Sequence, residues 1–217
     1  MSTETESSQD APGRGRRTPA DPADDATYRA WEEKQPSERL ADWLASLVHT
    51  RNYGDLAQLR RPRVRTNTHI RAGWFNPDQR EVYEQVAFLF AVYHRGLSRP
   101  PKATGTLGDA ARRIGSGVGR GPDDPGAARL IDRIVASRRI PWRHLQHAVA
   151  RLRACDQPPP SWSQLADDLT RWNDRKARIP YHWAVAFHTP PSRSKSTRSI
   201  TAASAPATDT IQKGTTQ

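Results

Sequence analysis

The chain has 217 residues, a net charge of +11 and a mean hydropathy of −0.85, which bounds it to one domain or two small ones with polar tails. A single cysteine, Cys155, excludes an internal disulfide framework and makes a thiolate zinc site untenable. The longest apolar run, Val86 to Tyr93, has eight residues, whereas a membrane span needs roughly 20; with an acidic, polar N-terminus unlike a signal peptide, a soluble cytoplasmic protein is expected.

Residues 1–27 are rich in Ser, Thr, Asp, Pro and Gly and are expected to be a disordered acidic tail. Helical periodicity then takes over. Leu40, Trp43, Leu44, Leu47 and Val48 fall on one helical face. A short helix is predicted over Tyr53–Arg61, stopped by Pro62. Asn76-Pro77 pairs an N-cap with proline at the first helical position. The helix it opens runs to about His94 and is apolar enough to sit at the centre of a bundle. Gly96 and Arg99-Pro100-Pro101 end it, marking a boundary between an N-terminal lobe, 28–99, and a C-terminal lobe, 100–189.

Thr106 to Ile114 reads as a short helix, and the glycine-rich run Gly115–Gly121 as a flexible loop. Asp124-Pro125 starts a helix with Leu130, Ile131, Ile134 and Val135 inward, and Ile140-Pro141 opens one with Trp142, Leu145, Val149 and Leu152 inward. Pro158-Pro159-Pro160 breaks the chain; Ser161 and Gln164 then form a capping-box pattern before Trp162, Leu165, Leu169 and Trp172. A last short helix is expected around Trp183 and Phe187, followed by a disordered tail over 190–217. No stretch alternates with period two. The expected fold is all-α, two small helical lobes flanked by disordered tails.

Charge is concentrated in the folded part. Residues 1–26 are net −3 and residues 190–217 net +3, so the core between them carries the whole +11. That points to a polyanionic partner. Of 34 basic residues 29 are arginine, whose planar fork suits bidentate phosphate contacts, although GC-rich coding produces the same bias. The densest strip is Arg60, Arg61, Arg63 and Arg65, followed by His69 and Arg71, with no acid between Asp55 and Asp78. Such density belongs at the surface, and its functional reading is phosphate-backbone contact. A second set comprises Arg112 and Arg113, Arg129 and Arg133, Arg138 and Arg139, and the stripe Arg143, His147, Arg151. Trp74, in a loop beside the first strip, suits either core packing, the default for a tryptophan, or stacking on a base.

Catalytic templates fail. The glycine run lacks a preceding strand and a Gly-Lys-Ser/Thr ending. His144 and His147 have no third ligand nearby. Asp123-Asp124 suits a helix start, Asp167-Asp168 sits mid-helix beside Arg171, and neither Cys155 nor Ser116 has a base partner. No enzyme activity, metal or cofactor is expected. A helix-turn-helix regulator reading DNA through the helix at 141–153 remains open, as does a subunit that binds only protein.

One succession of motifs goes further. Gly54-Asp55-Leu56-Ala57-Gln58-Leu59-Arg60-Arg61 is followed by Gly73-Trp74-Phe75-Asn76-Pro77 and an apolar helix ending in Tyr93-His94. Thr106-Leu107-Gly108, Arg112-Arg113-Ile114, the segment Arg129 to Arg138, Arg143-His144-Leu145 and Trp162…Leu165-Ala166-Asp167-Asp168-Leu169…Trp172-Asn173 complete it. Over roughly residues 38–188 this order resembles the CasB family, small subunits of the type I-E CRISPR Cascade surveillance complex. The resemblance implies a non-catalytic, two-lobed helical subunit. It would be present in two copies, beside other Cascade subunits, the guide RNA and the target and displaced DNA strands, and would stabilise the opened duplex, the R-loop. It implies no membrane partner. It makes Arg60 and Arg61 the first candidates for backbone contacts, with Arg112, Arg129, Arg138 and Arg143 next. Gln146-His147 departs from the basic residue that often follows in the family, leaving Arg151 or a charged His147 to compensate.

Overall fold

The computed structural model describes residues 33–61, 65–116 and 119–189. The calls on the two tails, on Pro62 and on Arg63 lie outside the described residues. Helix α1, Pro36–His49, starts with proline in its first turn and buries Leu40, Trp43, Leu44, Leu47 and Val48. Helix α2, Tyr53–Leu59, is capped by Asn52, whose side-chain oxygen accepts from the Asp55 N–H at 3.2 Å. Helix α3, Asn67–Gly73, was not legible in the pattern, because five of its seven residues, Asn67, Thr68, His69, Ile70 and Gly73, are weak helix formers. It forms because Ala72 and Gly73 are buried as it packs on the next helix, and because the Thr66 hydroxyl meets His69 Nδ1 at 2.9 Å.

Asn76 caps a 3-10 turn, Pro77–Gln79, which leads into α4, Arg80–Tyr93. Helix α4 is buried on nearly every side, including Val82, Val86, Leu89, Phe90 and Tyr93. Helix α5, Leu107–Ala111, follows. Gly115–Ser116 and Gly119–Arg120 then pair antiparallel, Gly115 opposite Arg120. The expected loop is thus a minimal hairpin there. Only glycine serves at 115: its φ is +131°, and a Cβ would collide with the Gly119 carbonyl. Helix α6, Pro125–Val135, is capped by Asp124. Helices α7, Trp142–Ala154, α8, Trp162–Thr170, and α9, Ile179–His188, complete the described chain.

The fold is helical, and α4 is its axis. It packs on α3, α2 and α1 on one side and on α7 and α8 on the other, while α1 also lies along α8. One hydrophobic cluster therefore runs from Leu40 to Phe187. Tyr93 Oη donates to the Gln157 carbonyl at 2.7 Å, tying the end of α4 to the proline break. Helix α9 closes over α5 and α6; Gly108 meets the Trp183 backbone so closely that any Cβ would clash. Asp168 is buried and accepts from Trp183 Nε1 at 2.6 Å and Gln164 Nε2 at 2.8 Å, a structural role. No described helix is long and apolar enough to cross a membrane.

Candidate nucleic-acid interface

Helices α6 and α7 lie side by side, and their outer faces form an open groove of about 840 Å³. Arg129 and Arg133 project from α6, one turn apart; Arg143, His144, His147 and Arg151 project from α7. Leu130, Ala150 and Ala154 contribute the apolar lining, and among the described residues no carboxylate lines the groove. The arrangement follows from helical spacing, because the residues that face inward from α6, Leu130, Ile131 and Ile134, leave Arg129 and Arg133 outward. Arg129, Arg133 and Arg143 are exposed and form no ion pair among the described residues. Arg151 differs: its Nη2 lies 3.2 Å from Asp124 Oδ1. Asp124 also accepts from the Ala127 N–H at 2.7 Å, which, ahead of the Arg151 contact, holds its carboxyl below the usual carboxylate range.

Arg138 and Arg139 are exposed on the α6–α7 connection, but Arg138 faces a separate cleft of about 420 Å³. Asn173, Asp174, Arg175 and Arg178 line that cleft with it. Arg178 takes a left-handed backbone conformation, φ +46°, and its guanidinium lies 4.3 Å from the Tyr181 ring centroid. Sequence reasoning passed over Arg175 and Arg178. The available signal was the density of cations over Arg171–Arg178, where Asp174 is the lone acid.

The first strip is more differentiated than its spelling. Arg60 ends α2 half-buried, and burial, followed by the like charge of Arg95, disfavours its charged form. An arginine nevertheless stays protonated, so two neighbouring cations sit where an anion would relieve them. Arg95, also missed in the sequence, thereby joins this surface. Arg61 is exposed. Arg65 is exposed but engaged: its Nε lies 2.7 Å from buried Glu84, which also binds Arg80 Nε at 2.8 Å. His69 turns inward, and burial lowers its pKa below the ordinary histidine value, so it adds no cation to the strip at neutral pH. Arg71 lies over the Trp43 ring at 5.3 Å.

Arg112 and Arg113 hold the fold together. Arg112 donates to the Thr189 carbonyl at the end of α9. Arg113 donates to the Pro158 carbonyl at 3.1 Å, and burial disfavours its charged form. Trp74 departs from the default of core packing: it is 69% exposed. No group of three or more potential metal ligands occurs among the described residues.

The family model for CRISPR-associated protein Cse2 matches residues 55–188, which span both basic surfaces. The structure is similar to the crystal structure of CasB from Thermobifida fusca, with a TM-score of 0.57 and 18% identity. That likeness covers 70% of this chain and 96% of that one, and at such identity it speaks for the fold. No curated protein matches the chain.

Proposed function

The chain belongs to the CRISPR-associated Cse2 family and is a subunit of the Cascade complex of CRISPR defence; on this footing we propose that it is a non-catalytic subunit that grips nucleic-acid backbone. In this reading it stabilises the guide RNA–target hybrid and the displaced strand by sequence-independent phosphate contacts, alongside other Cascade subunits and a second copy of itself. The observation that carries the proposal is the α6–α7 groove: among the described residues, Arg129, Arg133 and Arg143 are exposed and without ion pairs, and no carboxylate lines the groove. Unpaired guanidiniums need no internal partner to be displaced before a phosphate binds.

Exchanging a DNA duplex for a guide–target hybrid is nearly neutral in free energy. A few backbone contacts are therefore enough to tip it, and they need not read bases, because the guide already does. Arg60, Arg61 and Arg95 offer a second contact surface, and Arg138 with Arg175 and Arg178 a third. Arg65, Arg112, Arg113 and Arg151 rank lower, since each already holds a protein partner.

The test is binding of the full chain to a single strand, a duplex and an RNA–DNA hybrid, each in two unrelated sequences, at several salt concentrations. Salt-sensitive binding that ignores sequence and is weakened by Arg60→Ala/Arg61→Ala is expected. Binding to one duplex sequence alone would point to a helix-turn-helix regulator instead.

A further inference from the structure

Trp74 sits at the C-terminal end of α3, and its neighbours on both sides are anchored. Its own N–H donates to the Ile70 and Arg71 carbonyls, both at 3.2 Å. Arg71 is pinned over Trp43, and the Phe75 ring lies 5.6 Å from the same Trp43. Gly73 is pressed against the Arg80 side chain, with no room for a Cβ. The backbone is thus held firmly on either side of a side chain that makes no aromatic or cation–π contact with another described residue. A tryptophan that is held in place by its neighbours and is 69% exposed presents an apolar face to water, as tryptophans at binding surfaces do.

The surroundings narrow what covers it. No acid lies between Asp55 and Asp78. Two cations, Arg65 and Arg80, share the single carboxylate of Glu84 and leave a surplus positive charge. Arg65 precedes Trp74 by nine residues, of which Asn67–Gly73 form helix α3. A partner that is both polyanionic and carries flat apolar faces is a nucleic acid, and unpaired bases expose those faces.

We propose that Trp74 is a base-stacking platform that favours single-stranded over paired nucleic acid, with the neighbouring arginines holding the flanking phosphates. This rests on the backbone-gripping role proposed above and adds a preference that phosphate contacts alone cannot supply, since they are the same whether or not a base is attached.

The experiment compares binding of a mixed-sequence single strand with that of an abasic strand of equal length, which keeps the phosphates and removes the bases. Full-length wild type, Trp74→Ala, Trp74→Phe and Arg60→Ala/Arg61→Ala are measured in parallel. Wild type is expected to bind the base-bearing strand about fivefold or more tightly than the abasic one, the effect of stacking a single base. Trp74→Ala should bring that ratio down by about the same factor, and Trp74→Phe should retain most of it. The arginine variant should weaken both strands and leave the ratio unchanged. A ratio untouched by Trp74→Ala overturns the stacking role and makes Trp74 a protein-docking residue, while the phosphate reading stands. Binding of neither strand at low salt overturns both.

Discussion

Replacing Arg129, Arg133 and Arg143 together by alanine tests the groove most directly. All three side chains are exposed and unpaired among the described residues, so their removal orphans no buried partner. Stability should stay within about 0.5 kcal/mol per substitution. The effect on binding follows from counterion release. Each phosphate contact on a single strand contributes about 0.7 to the slope of log K against log salt. Three lost contacts should flatten that slope by about 2. If wild type and variant converge near 1 M salt, the loss is about 100-fold at 0.1 M and about 30-fold at 0.2 M. Fluorescence anisotropy across a salt series reads both quantities. Arg151 provides the internal control. Its guanidinium is engaged by Asp124 from 27 residues away, so Arg151→Ala should change the slope by less than half as much as Arg143→Ala. An unchanged slope in the triple variant, or an Arg151 effect equal to that of Arg143, would refute the reasoning.

Two predictions concern the scaffold. His94 is buried and stacked on Phe90, with Nδ1 2.8 Å from the Phe90 carbonyl and Nε2 without a partner among the described residues. Burial lowers its pKa from 6.5 to about 4. The folded value is depressed, so its contribution is complete above pH 6.5 and is lost as the pH falls towards 4, about 3 kcal/mol in all. His94→Phe should remove that share of the acid sensitivity in urea unfolding measured across this window; an unaltered pH profile would assign the sensitivity to the carboxylates. Asp168→Ala leaves the Trp183 N–H and the Gln164 amide unpaired in a buried site, and should cost about 2–4 kcal/mol. A loss below about 0.5 kcal/mol in urea titration would deny Asp168 its structural role.

Much of the fold was legible before any coordinates. The 3.6-residue period of Leu40 to Val48, of Val82 to Tyr93 and of Leu130 to Val135 depends only on which residues share a helical face, and so did the outward placement of Arg129, Arg133 and Arg143. Caps at Asn76, Asp124 and Ser161 act within three residues and are equally local. Helix α3 and the glycine hairpin were not legible. The first is held by packing against α4, the second by a close backbone approach that a string of glycines permits without announcing.

The sequence by itself determined that the folded core is basic and helical, because charge and period are properties of the chain. It did not determine which arginines are free. Arg65 finds Glu84 nineteen residues away, Arg151 finds Asp124, and Arg112 and Arg113 are drawn to carbonyls 77 and 45 residues distant. Nor did it show that Trp74 faces water while Trp162, Trp172 and Trp183 do not. Those outcomes were decided by tertiary structure, since whether a guanidinium meets a carboxylate or solvent depends on what the rest of the chain brings beside it.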